Sequence, residues 1–200
     1  MEGGRSKGYN WNRKGYQRDT GYHPMSTRIA ILGHSNVPRS LEITNATVRI
    51  FRKSGARACR FTTYPEFSGI WDFRPHITFL FLGSNDIIEN CSSHVITNLT
   101  LNIAEDIETR TGGIVCILQI EPRIDLTERH INAAGYKRVA KRANKRISRA
   151  WRTREYLEWG GFLRRLFDRT GYHFNELGKN YIKERITHRA ETIMSRWNRD

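Results

Sequence analysis

No stretch of this 200-residue chain approaches 18 uninterrupted apolar residues, which excludes a membrane-spanning helix. The opening stretch "MEGGRSKGYNWNRKGYQRDTGYHP" contains no apolar run of the kind a secretory signal carries. An intracellular protein, cytoplasmic or nuclear, is therefore the expectation. Cysteine is scarce. Cys59, Cys91 and Cys116 are scattered without metal-ligand spacing, which fits a reduced compartment and argues against a disulfide framework or zinc. No metal and no cofactor are expected. Asn-x-Ser/Thr triplets at Asn45, Asn90 and Asn98 read as chance matches. Acid is the most unevenly distributed shortage. From Lys137 to Arg154 there are nine Lys/Arg and no Asp or Glu, so this window supplies +9 of a formal +14. Such a stripe attracts phosphate backbones or other anionic surfaces, or it is simply a solvated helix face.

The hydrophobic share of 38% is low but still supports a folded unit beside a polar tail. Residues 1–26 read as a disordered basic tail in which Gly-Tyr recurs at Gly8-Tyr9, Gly15-Tyr16 and Gly21-Tyr22. Arg5, Lys7, Tyr9, Trp11, Arg13, Lys14 and Tyr16 interleave cations with aromatics, a mixture that can stack on bases and neutralise phosphates. Residues 27–200 form the folded domain. Apolar strands are predicted over about 28–33, at "TVRIF" (47–51), at "HITFLFLG" (76–83) and at "IVCILQI" (114–120), with a short fifth at "EYLEW" (155–159). A helix is predicted after the first strand, through Leu41 and Ile43. Another covers 92–110 with a stripe of Val95, Leu99, Ile103 and Ile107. A third covers about 130–150 with Val139, Ala143, Ile147 and Trp151. The last covers about 176–196 with Leu177, Tyr181, Ile182, Ile186 and Ile193. This alternation predicts an α/β fold, a three-layer α/β/α sandwich on a flavodoxin-like parallel sheet of about five strands.

In such a sheet the strand C-termini converge on one edge, where ligands bind. The first strand ends in Gly33-His34-Ser35. Gly55 follows the second, "GSNDI" (83–87) follows the third, and His173 precedes the last helix. A serine, a glycine amide, an asparagine amide and a histidine are the inventory for acyl transfer. Each also has a plainer structural use. Ser35 could cap a helix, Asn85 and Asp86 could cap the next one, Gly55 could serve a turn, and His173 could be a surface residue.

Taken in order, these blocks resemble the SGNH (GDSL-type) hydrolases over about residues 28–190. Gly33-His34-Ser35 is similar to the first block, usually Gly-Asp-Ser. Gly55 matches the second block. Gly83-Ser84-Asn85-Asp86 matches the third in full, and Thr170-Gly171-Tyr172-His173 is similar to the last, Asp-x-x-His. "LQIEPR" (118–123) resembles the ending of the fourth strand in a metazoan branch that also favours Gly-His-Ser. The resemblance implies an esterase or thioesterase acting on an acyl ester. Ser35 would be the nucleophile and His173 the base. The Ser35 and Gly55 amides and the Asn85 side chain would be oxyanion donors, with Gly55 leaving the approach to its amide clear. Two departures stand out. His34 replaces an aspartate that is mostly structural in the family. Thr170 replaces the triad aspartate, whose loss in triad enzymes costs on the order of 10⁴-fold in rate. Thr170 or Asp168 could orient His173 instead.

The same resemblance implies a second class of function. The OSK domain of Oskar looks like an SGNH hydrolase without a working site and binds RNA through basic residues. Related esterase-like domains occur in retrotransposon-encoded proteins beside RNA-binding segments. The corresponding candidate surface here is Arg138, Lys141, Arg142, Lys145, Arg149 and Arg152, with RNA or another polyanion as partner.

Overall fold

The computed structural model describes residues 26–124, 132–161 and 164–197. The aromatic and basic residues of the tail named above lie outside the described residues.

Five parallel strands form one sheet in the order β2-β1-β3-β4-β5. They are β1 (Thr27–Gly33), β2 (Ala46–Arg52), β3 (Ile77–Phe81), β4 (Ile114–Leu118) and β5 (Tyr156–Leu157). The register places Ile31 beside Ile50 on one side and Phe79 on the other. Side chains alternate between faces. Ala30, Leu32, Leu80, Val115 and Ile117 join one buried cluster with α4 (Ser93–Thr111) and α5 (Ala133–Ala150). Ile29, Ile31, Ile77, Phe79, Phe81 and Leu118 join the other, with α6 (Glu176–Trp197). Burial on both faces explains why β3 reads as a continuous apolar run rather than an alternating one. The three-layer α/β/α sandwich follows. Each such Ile or Phe contributes about 1.5–3 kcal/mol by leaving water. Among the described residues, no helix is long and apolar enough to cross a membrane.

Gly33 ends β1 because nothing larger fits. A Cβ there would lie 2.3 Å from the Phe81 carbonyl oxygen of the neighbouring strand. The opening block is therefore a glycine for packing reasons, whatever the serine does.

Several expectations need correction. Residues 34–45 contain no helix. Pro38 lacks an N–H and disfavours the helical conformation of Val37 before it. Val37 and Ile43 instead tuck into the core from an irregular loop. Without that helix, Ser35 caps nothing. In α4 the buried stripe is Ile96, Thr100, Ile103 and Ile107, whereas Val95 is 44% exposed. In α6, Leu177 is 53% exposed, and Ile182, Ile186, Ala190 and Ile193 are buried. Spacing of strictly four drifts around a helix of 3.6 residues per turn, so the seam alternates threes and fours. The aromatic stretch between β2 and β3 holds a 3-10 turn (Ala58–Thr63) and two single-turn helices, α1 (Pro65–Ser68) and α2 (Ile70–Phe73). A further short helix, α3 (Ser84–Ile88), follows β3.

Candidate functional site

The carboxyl ends of β1 to β4 meet the segment before α6 in one hydrogen-bonded cluster. Ser35 is half-buried in the turn after β1. That turn is closed by the Val37 N–H donating to the His34 carbonyl at 3.1 Å. It is also clamped by Arg52, whose Nη2 donates to the Ser35 carbonyl at 2.9 Å. The Ser35 hydroxyl lies 3.5 Å from Nδ1 of His173, across 138 residues of chain. The ring nitrogen facing the serine is thus Nδ1.

Gly55 sits in a turn closed by the Ala56 N–H donating to the Lys53 carbonyl at 3.1 Å. Its φ is +71°, a conformation that side-chain-bearing residues rarely adopt. A Cβ at Gly55 would meet nothing within 4 Å, so backbone conformation rather than space demands glycine here. Asn85, in α3, is buried and donates through Nδ2 to the Ala56 carbonyl at 2.9 Å. Its Oδ1 accepts from Arg123 Nη2 at 3.5 Å and from the Tyr172 hydroxyl at 3.4 Å. Those donors fix which way the amide points and leave a second Nδ2 hydrogen available. Asp86 does not cap its own helix. Its carboxylate accepts from the Ala58 and Cys59 N–H groups at 2.8 and 3.1 Å, capping the 3-10 turn across space.

His173 is exposed at the end of a tight turn. The Asp168 N–H donates to the His173 carbonyl at 2.8 Å, and the Gly171 N–H to the Asp168 carbonyl at 3.0 Å. Phe167 and Phe174 pair across the turn with ring centres 4.9 Å apart. Thr170 lies three residues before His173. Its hydroxyl donates to the Asp168 carboxylate and accepts from the Tyr172 N–H at 3.2 Å. Burial pushes the Asp168 carboxyl up, but the Thr170 hydroxyl, the backbone donors and the nearby His173 ring outweigh it and hold it below the usual carboxylate range.

Beneath the serine turn lies a buried charged group that neither composition nor spacing singled out. Glu121 Oε1 accepts from Asn36 Nδ2 at 3.1 Å and lies 3.4 Å from His34 Nε2 and 3.3 Å from Arg123 Nη2. Glu121 and His34 are fully buried, and Arg123 nearly so. His34 Nδ1 accepts from the Asn36 N–H at 3.3 Å, so Nε2 is the donor, within reach of Glu121 and of the Ser84 hydroxyl at 3.1 Å. Burial pushes the Glu121 carboxyl up, yet His34 and Arg123 override that and hold it at about 2. The turn after β1 thus contributes a buried imidazole, and the carboxylate it meets comes from just past the end of β4. Arg123 stacks 3.7 Å over the Tyr172 ring and donates to the Tyr172 carbonyl at 3.1 Å. The chain of contacts His34–Glu121–Arg123–Asn85–Tyr172 therefore ties the ends of β1, β3 and β4 to the histidine loop. One signal in the sequence pointed here: the acid and base of Glu121-Pro122-Arg123, separated by only Gln119 and Ile120 from the end of an apolar strand.

The basic residues form a separate surface. Arg138, Lys141, Arg142, Lys145 and Arg149 of α5 are exposed, as is Arg152 in the turn beyond it. Lys137, Lys141 and Lys145 line an open groove of about 820 Å³ that continues past Ile120 and Pro122 to Arg123. Arg146 turns the other way, toward the Ser93 hydroxyl of α4 at 3.4 Å.

The chain matches no family model and no curated protein. It does match solved structures. A carbohydrate esterase family 3 protein from Talaromyces cellulolyticus is 15% identical, with 84% of this chain and 98% of that one covered and a TM-score of 0.62. A GDSL-like lipase from Bacteroides thetaiotaomicron is 16% identical, with 84% and 89% covered and a TM-score of 0.65. A member of the lipolytic G-D-S-L family from Veillonella parvula is 16% identical, with 80% and 96% covered and a TM-score of 0.61. At such identities the likeness speaks for the fold, and the fold of this chain is that of the SGNH (GDSL-type) hydrolases.

Proposed function

We propose that this protein is a serine hydrolase that cleaves carboxylic esters or thioesters at Ser35. The observation that carries the reading is the Ser35–His173 approach of 3.5 Å at the carboxyl edge of the sheet. Ser35 Oγ attacks the acyl carbonyl while its proton passes to His173 Nδ1. The resulting oxyanion is held by the Ser35 and Gly55 backbone N–H groups and by Asn85 Nδ2. One such donor is worth about 3 kcal/mol of barrier. His173 then protonates the leaving oxygen or sulfur, and water enters by the reverse path to release the acid. The test is turnover of a short-chain chromogenic ester. Turnover that depends on Ser35 supports the reading; turnover unaffected by Ser35→Ala, or none at all, overturns it.

The position of Thr170 gives a sharper expectation. Thr170→Asp alone sets a second carboxylate against Asp168, and two adjacent carboxylates cannot both stay ionised cheaply. The single substitution should therefore gain little. Thr170→Asp combined with Asp168→Asn should raise kcat by at least about tenfold, because a charged partner for the imidazolium returns. Equal rates for the double variant and the wild type would show that this position does not face the ring.

A second reading rests on a different observation, the exposed cations of α5 on a helix without acidic residues. It assigns this face to RNA, bound through phosphates. Affinity for single-stranded RNA should then fall steeply with salt. Replacing Lys141, Arg142 and Lys145 by Gln should flatten the log–log salt slope by about 2. A slope unchanged by the triple substitution would remove α5 from any such interface.

A further inference from the structure

The Asn36 side chain lies between a buried carboxylate and the histidine. Its Nδ2 donates to Glu121 Oε1 at 3.1 Å. Its Oδ1 accepts from the Phe174 N–H at 3.4 Å and lies 3.4 Å from His173 Nδ1. Asn36 is 3% exposed, so this amide is held away from competing water. From these contacts we infer that Asn36, fixed by Glu121, is a positioning residue that stabilises the protonated His173 ring, acting at Nδ1, the same nitrogen that faces Ser35. The inference rests on the Ser35–His173 reading of the site.

The physical case is one of dipole direction. Glu121 bonds the amino end of the Asn36 amide and so fixes which end faces the ring. A flipped amide would turn its oxygen onto the carboxylate and its N–H₂ onto the Phe174 N–H, losing both bonds. The negative end is thus presented to Nδ1. When Ser35 Oγ gives up its proton, that proton arrives on Nδ1, within 3.5 Å of the departing oxygen and 3.4 Å of an acceptor already in place. A hydrogen bond to the charged form of a group favours that form. The ionised Glu121 polarises the amide and strengthens that acceptor, as linked bonds in a low-dielectric site do. The proton later leaves Nδ1 for the leaving group, and neither the Asn36 amide nor the Glu121 carboxylate gains or loses a proton.

Other charged and titratable groups face the same ring. Asp168 and Tyr172 come from its own loop, with the Tyr172 and His173 ring centres 4.7 Å apart. Arg52 of β2 reaches the backbone of Ser35. A test must separate Asn36 from these, and above all from Asp168.

The experiment is titration of the His173 ring by NMR in the full chain, its signal assigned by loss in His173→Gln, beside pH profiles of ester turnover. Asn36→Leu keeps the branched heavy-atom outline of the side chain, with somewhat more bulk, and removes the dipole. It should lower the His173 pKa by about half a unit to one unit. The acidic limb of kcat/KM should move by the same amount, and kcat should fall about tenfold. The swap Asn36→Asp with Glu121→Gln keeps one carboxylate in the cluster but moves it next to the ring. It should raise the His173 pKa above the wild-type value. A His173 pKa unmoved by Asn36→Leu overturns the inference, and most directly so if Asp168→Asn moves it. Should Asn36→Leu fail to fold, the swap decides alone: a raised pKa supports the inference and an unchanged one overturns it. The titration needs no substrate. If the wild type hydrolyses no ester, the proposed function fails while this coupling is still measured.

Discussion

Ser35→Ala should lower kcat for a short-chain chromogenic ester by at least about 10²-fold, with the melting temperature unchanged. The size follows from how triad members act together. Removing the serine of an intact triad costs about 10⁶-fold, and removing the acid alone costs about 10⁴-fold, so the serine adds about 10² where the acid is already gone. A larger loss, beyond about 10³-fold, would mean that another group supplies what the acid normally does. On the proposal above, Asn36 would contribute to that by stabilising the protonated ring. The stability control matters because Ser35 is half-buried and its hydroxyl caps no helix. A measured loss of less than tenfold, with fold intact, would show that Ser35 is not the nucleophile.

Glu121→Gln should destabilise the domain by about 3–5 kcal/mol, the cost of leaving a buried cation without its partner. Arg123 is 4% exposed and cannot recover its charge compensation from solvent. Whole domains are stable by only about 5–15 kcal/mol, so the loss should appear plainly in a urea midpoint. Replacing Arg123 by Met as well should restore part of it, because no lone charge then remains buried. The pH dependence has a definite sign. The folded-state carboxyl sits at about 2 against an ordinary 4.5, so its contribution is fully present above the ordinary value. That contribution drains away as pH falls from about 4.5 through about 2. The wild type should lose stability across that window, and Glu121→Gln should lose much less there. A midpoint shift worth under 1 kcal/mol at neutral pH would mean that Arg123 reaches water in the folded protein.

The apolar runs at 29–32, 77–82 and 114–118 were legible because a strand buried on both faces has no polar position to interrupt it. Strand ends were legible for the same reason, and with them the placement of Ser35, Gly55, Asn85 and His173 at one edge. The loop at 34–45 was not. Leu41 and Ile43 suggested a helix, but Pro38 and the packing of Val37 decided otherwise. The helix seams were legible in period but not in phase, since Val95 and Ile96 are equally apolar and only the position of the sheet selects between them. Gly55 was placed at this edge from its position in the chain, whereas its positive φ is visible only in the folded backbone.

The amino-acid sequence by itself determined the α/β/α architecture, the order of its strands and the meeting of Ser35 and His173 at the carboxyl edge. Those properties follow from local runs and from the fixed handedness of strand crossovers. Only the tertiary structure decided that Nδ1 of His173 faces Ser35, that the Thr170 hydroxyl is engaged with Asp168, and that Glu121 reaches across the sheet to His34, Asn36 and Arg123. The Ser35–His173 and Asn36–Glu121 contacts join residues 138 and 85 apart in the chain. No period or motif encodes such a pair. A carboxylate finds a partner by direction and distance once the strands are aligned, and that alignment exists only in the folded molecule.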